Sequence, residues 1–189
     1  MAGQCARFSN DIKLAIELLT RSISLERNDA YIYLGLGIAL QMDGQYEVAI
    51  SFLENATKIS PNLYSAYNSL GFTYKKMGQY TLALDWYRKA EEVRINVAID
   101  EVLKERDKCF SEEIDEHGKS CLVPLPYYFE KTRSILMSDP FYATIKNNMG
   151  VCFMELGFSE KARSLFQESI EFTPDGYEFQ DPHSHIRFL

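Results

Sequence analysis

The chain has 189 residues, 46% hydrophobic and 25% charged, and its 20 Lys and Arg against 27 Asp and Glu leave a formal charge of −7. This is the composition of a globular domain long enough to bury its own core, not of a disordered segment. An acidic chain without a basic run is poorly suited to nucleic-acid backbones or anionic membranes, and no apolar stretch reaches the length of a bilayer span. The opening residues, Met1-Ala2-Gly3-Gln4-Cys5, have neither the charged nor the apolar region of a secretory signal. Cys5, Cys109, Cys121 and Cys152 form no C-x-x-C pair and are too sparse for a disulfide scaffold. They read as free thiols in a reducing compartment, which places the chain in the cytoplasm.

Self-similarity is the dominant signal. Gly37 and Gly71, Ala49 and Ala83, and Ala56 and Ala90 are each 34 residues apart. Residues 1–29 read as a partial unit. Ala15 and Leu19 lie one period before Ala49 and Leu53, and Asn10 and Asp11 offer N-cap chemistry ahead of that helix. A short helix over Met1–Ser9 is expected before them. Residues 30–63 read as a helix pair. Tyr33, Leu36 and Leu40 share one helical face, Gly44 marks a turn, and Ala49, Phe52, Leu53 and Ala56 share the next face before Pro61 stops it. Residues 64–97 repeat this with Tyr67, Leu70, Tyr74, Gly78, Ala83, Tyr87 and Ala90, but Ile95 stands in the proline slot.

Residues 98–142 read as a degenerate unit with an insertion, because Glu101, Lys104 and Glu105 occupy positions the pattern fills with aromatic, Leu and Gly. Helices near 97–110 and 126–138, joined by a long acidic turn, are expected. The alternative is one helix from Thr81 to about Lys108, then a loop and an unrelated helix. The run His117-Gly118-Lys119-Ser120 marks a loop in either case. Residues 143–176 form a further clear unit carrying Gly150, Phe153, Ala162, Phe166 and Pro174. Gly71 to Gly150 is 79 residues, one period plus 45. Lys146 and Ser169 depart from the pattern there, where an aromatic and an Ala are usual. The tail, 177–189, holds Tyr177, Phe179, Pro182 and Phe188, and either caps the stack, lies in its groove or is unstructured.

The order Tyr-x2-Leu-Gly-x2-Leu/Tyr, Ala-x3-Leu/Tyr, Pro at this period resembles the tetratricopeptide repeat. The resemblance implies an all-α fold, a right-handed superhelical stack of helix-turn-helix repeats forming one α-solenoid domain over 1–176. A glycine in a helix costs about 1 kcal/mol against alanine, so Gly37, Gly71 and Gly150 need a packing reason, which close approach of the paired helix supplies.

No Walker A, dinucleotide fingerprint, H-E-x-x-H or G-x-S-x-G occurs, and no enzyme activity or cofactor is expected. His183 and His185, with Asp181, fall short of a metal ligand set, and Glu112, Glu113, Asp115 and Glu116 lack calcium-loop spacing, so no metal site is expected. The resemblance directs attention to a surface instead. In such proteins the first helix of each pair lines a concave groove. Carried over, its lining is Tyr31, Leu34 and Ile38 from the first clear repeat, Asn68, Phe72 and Lys75 from the second, and Asn147, Asn148 and Val151 from the third. Apolar side chains there supply burial and amides pair with an extended backbone. Slots two, five and six carry no basic residue, which argues against clamping of a terminal carboxylate.

The function implied is a non-enzymatic adaptor or scaffold that binds a protein or peptide in its groove. Two alternatives stand beside it: a chaperone of an apolar client such as a bacterial secretion substrate, or a fragment of a larger multidomain protein. No nucleic-acid partner and no membrane insertion are expected. Exposed apolar repeat ends permit homo-oligomers.

Overall fold

The computed structural model describes residues 2–25, 28–105, 110–114 and 120–173. Within them are helices α1 (Ala2–Leu25), α2 (Ala30–Met42), α3 (Tyr46–Ile59), α4 (Tyr64–Lys76), α5 (Tyr80–Leu103), α6 (Pro126–Met137), α7 (Pro140–Glu155) and α8 (Ser159–Glu171). One antiparallel hairpin, β1 (Phe110–Ile114) with β2 (Ser120–Pro124), lies between α5 and α6. The architecture is an all-α helical repeat solenoid. Three helix pairs build it: α2/α3, α4/α5 and α7/α8.

Local chemistry starts and stops each pair. Asp29 caps α2, its side chain accepting from Tyr31 N at 2.8 Å. Gly44 turns the chain into α3 with φ 79°, and the equivalent Gly78 and Gly157 adopt φ 73° and 83°, a region that favours glycine. Inside each pair the helices meet at a second glycine. A Cβ on Gly37 would lie 2.6 Å from Leu53, on Gly71 2.6 Å from the Tyr87 ring, and on Gly150 2.5 Å from the Phe166 ring. Leu53, Tyr87 and Phe166 are fully buried. The expected packing reason for these glycines is therefore present in all three pairs.

The stacking order differs from the expected slots. Tyr67, Ala83, Tyr87 and Ala90 of the α4/α5 pair form one core with Ile145, Met149, Phe153 and Phe166 of the α7/α8 pair. The third clear pair thus packs directly on the second, and no helix pair from 98–142 intervenes. That segment makes a lateral excursion. The α5 helix runs without a break to Leu103, so the expected turn near 97 is absent and the single long helix is found. With Ile95 in place of proline, nothing stops it. The expected long acidic turn is in part the hairpin, Glu112 and Glu113 lying in β1. Ile95 and Ala98 of α5, Leu136 of α6, Tyr142 of α7 and Phe172 close the neck of the excursion.

The first unit also differs. Helix α1 is continuous from Ala2 to Leu25, so Asn10 and Asp11 are helical rather than capping a new helix. Its C-terminal half still takes the place of a second helix, since Ile16, Leu19 and Ile23 pack on Leu36 and Leu40 of α2.

The two departures in the last pair are both compensated. Ser169 is fully buried and its Oγ donates to Ala143 O at 2.8 Å. Lys146 is 9% exposed and its ammonium donates to Glu91 at 2.5 Å and Glu168 at 2.7 Å. Tyr142 donates to the same Glu91 at 3.2 Å. Burial acts against the ammonium, but its hydrogen bonds to Glu168 and Glu91 prevail and raise its pKa above the usual lysine range. Removing one member of a buried ion pair is costly, here discounted because Glu168 is 40% exposed. Lys146→Met is expected to lower stability by about 1–2 kcal/mol near neutral pH. The contribution is complete below the ordinary lysine pKa of ~10.4 and is lost as pH rises beyond it, so urea titrations of the two proteins should converge at strongly alkaline pH.

Candidate functional site

Helices α2, α4 and α7 run side by side and share one face. Polar stitches cross it in a repeating register. Gln41, twelfth in its repeat, donates to Ser69 O at 2.7 Å and to the Thr73 hydroxyl. Lys75, twelfth in the next, donates to Asn148 Oδ1 at 2.6 Å. In both cases one acceptor is the sixth residue of the following repeat. These bonds tie the first helices to one another.

The expected lining residues separate into groups. Asn68, Phe72, Lys75, Asn147, Asn148 and Val151 are brought together on α4 and α7. Asn147 and Asn148 are each 8% exposed, and Phe72, Lys75, Asn68 and Val151 are half-buried. Asn68 Oδ1 and Asn147 Oδ1 are buried with no hydrogen-bond partner among the described residues. The Asn148 oxygen is taken by Lys75, which leaves its amide nitrogen as the group available to a ligand. The ammonium groups of Lys75 and Lys76 lie 5.2 and 5.3 Å from the centroid of the Phe72 ring. Burial lowers the pKa of Lys75, and among the described residues no carboxylate pairs with it. Cys152 lies beneath this face as a free buried thiol whose pKa burial pushes up to about 11.

Leu34 lies in the core between the first two pairs. It is 8% exposed and packs with Leu53, Ala56, Ala66 and Leu70. Ile38 is 38% exposed and Tyr31 70% exposed, Tyr31 standing apart at the start of α2. Tyr31 instead lines a cleft with the extended α5, a feature hidden in the sequence because Glu101 and Lys104 read there only as failures of the repeat.

His117, His183, His185, Asp181, Asp115, Glu116, Cys109, Pro174 and the tail 177–189 lie outside the described residues, as do the side chains of Cys5 and Cys121. Among the described residues no group of three His, Cys, Asp or Glu could hold a metal ion, and no helix is long and apolar enough to cross a membrane.

Comparison with known proteins bears on the family. Two tetratricopeptide repeat profiles match, one over residues 30–63 and one over 52–85. A search of curated proteins found no significant relative. Among solved structures, the N-terminal domain of stress-induced protein-1 (STI-1) from C. elegans is similar at 14% identity and TM-score 0.52, covering 84% of this chain and 92% of that one. At that identity the likeness speaks for the fold alone. The chain thus carries tetratricopeptide repeats over residues 30–85, and a third helix pair built on the same glycine contact follows them.

Proposed function

We propose that the α2–α4–α7 face binds an extended polypeptide segment of a protein partner, and that the chain acts as a non-enzymatic adaptor. Tetratricopeptide repeats are in general protein-interaction modules, and that family setting supports the reading. The observation that carries it is the pair of buried, unpartnered amide oxygens of Asn68 and Asn147. A buried acceptor without a donor costs about 1–3 kcal/mol, and the backbone N–H groups of an extended segment are donors of the right kind. Lys75 supports the same face, since its half-buried ammonium has no carboxylate partner among the described residues and favours an acidic group on the ligand. Phe72 and Val151 provide apolar contact beside these polar groups. A cytoplasmic location belongs to this proposal, and the free thiol of Cys152 is compatible with it.

The same observation yields a paired test. Asn147→Leu removes an unsatisfied buried acceptor, so it is expected to raise the stability of the free protein by about 1 kcal/mol in urea titration. It is also expected to weaken partner capture at least about tenfold, the loss of one or two ligand hydrogen bonds. A stabilised variant that retained every partner of the wild type in quantitative affinity capture would refute the face as the binding surface.

A further inference from the structure

At the edge of the stack where α2 and α4 begin, a second concavity of about 440 Å³ opens. One side is Tyr31 and Tyr64, with Ser60, Asn62 and Leu63 from the α3–α4 connection. The other side is Val97, Asp100, Glu101 and Lys104 of α5. This wall exists because α5 continues past Ile95 to Leu103, whereas α3 ends at Ile59, two residues before Pro61. The cleft is therefore built by the departure of this chain from its own repeat. It is separate from the α4–α7 surface carrying Asn68 and Asn147.

Its chemistry is one-sided. Two exposed carboxylates and one ammonium stand on the α5 wall, and among the described residues none of the three side chains has a hydrogen-bond or ion-pair partner. Two phenol rings stand beside them. Tyr31 is 70% exposed and packs against no other ring among the described residues. Ring faces and carboxylates attract cations, and a guanidinium offers five donors and no acceptor. The Tyr64 ring already receives one guanidinium, that of Arg94, 5.4 Å from its centroid. Arg94 is neutralised by Asp139, so it does not offset Asp100 and Glu101. The overall charge of −7 further favours approach of a basic partner.

We propose that this cleft is a subsite for an arginine side chain presented by a polypeptide partner, the guanidinium lying against Tyr31 and pairing with Asp100 and Glu101. Lys104 sits at the same cleft and opposes the cation, setting a modest affinity.

Protein labelled with ¹³C in its tyrosine rings is titrated with acetyl-Gly-Arg-Gly-amide and with its neutral isostere, acetyl-Gly-citrulline-Gly-amide. The arginine peptide is expected to shift the Tyr31 and Tyr64 resonances saturably, with the citrulline peptide binding about tenfold more weakly, the worth of one charge-assisted contact. Asp100→Asn with Glu101→Gln is expected to weaken the arginine peptide about tenfold, and Lys104→Gln to tighten it about twofold. All three positions are exposed, so the variants retain the fold. Asn147→Leu leaves this affinity unchanged, so the cleft and the inner face stand or fall separately. Equal binding of the two peptides, or arginine-peptide binding untouched by the Asp100 and Glu101 changes, overturns the proposal.

Discussion

Arg94→Met is expected to destabilise the protein more than any other single charge removal, by about 3–4 kcal/mol, or roughly 10 °C in Tm. Arg94 is 7% exposed. Its Nε donates to Asp139 Oδ2, and the two side chains are 9% and 11% exposed. Asp139 has a second task. Its Oδ1 accepts from Phe141 N at 2.8 Å and caps α7. Removing the guanidinium leaves a buried carboxylate held by the helix N-terminus and the Tyr64 hydroxyl but by no cation, and the cost of an uncompensated buried charge follows. Adding Asp139→Ser is expected to restore most of the loss. Serine keeps an N-cap acceptor, and Met occupies the space of the arginine stem without leaving a charge unmatched. Urea titrations of the two single variants and the double variant measure this coupling. A double variant no more stable than Arg94→Met would mean that the stacking of Arg94 on Tyr64, not the ion pair, carries the contribution.

The placement of this pair explains what the sequence could not convey. Arg94 ends the regular part of the second repeat and Asp139 opens the third, 45 residues later. Their bond fixes the neck from which the intervening segment departs. Spacing alone measures chain length between Gly71 and Gly150, not whether that length fills a layer of the stack. The helix pairs of 30–63 and 64–97 were legible because small residues, turn glycines and large apolar residues recur in them at one period. Each of those residues answers a local steric demand, such as the approach of Gly71 to Tyr87.

Where the signal was weaker, continuity prevailed over local preference. Between Cys5 and Ser24 there is no Gly or Pro. Cap chemistry at Asn10 and Asp11 contributes about 1 kcal/mol, too little to break a helix that no residue stops. The same holds from Tyr80 to Leu103. The hairpin was hidden because Glu112 and Glu113 dominate β1 by charge, so the segment reads as solvated turn rather than strand. On the inner face, the sequence located the helices but not the bonds between them. Gln41 and Lys75 do the same job from equivalent positions with different chemistry, and their acceptors are a backbone carbonyl and hydroxyl in one case and a side-chain amide in the other. Repeat position alone likewise does not reveal that Leu34 packs in a core with Ala30, Ala66 and Leu70.

The contact at Gly150 gives a prediction whose sign depends on one ring. Judged by helix propensity, Gly150→Ala should stabilise α7 by about 1 kcal/mol. In the folded protein the new Cβ would lie 2.5 Å from Phe166 Cε1 and 2.7 Å from Cδ1, closer than such atoms approach. Phe166 is fully buried against Ile145, Met149 and Phe153, so the ring has no free side toward which to move. Overpacking of this kind costs about 1–3 kcal/mol, and the upper end applies when the obstacle is a rigid ring. The net expectation is a loss of about 2 kcal/mol, read as a lower urea midpoint with unchanged denaturant slope. A Phe166→Val background, itself costing about 3 kcal/mol, removes the obstacle. There the same Gly150→Ala change should raise stability by about 1 kcal/mol, the helix preference now unopposed. A loss of equal size in both backgrounds would show that Gly150 is held by something other than the ring, and the close approach would no longer explain why glycine recurs at positions 37, 71 and 150.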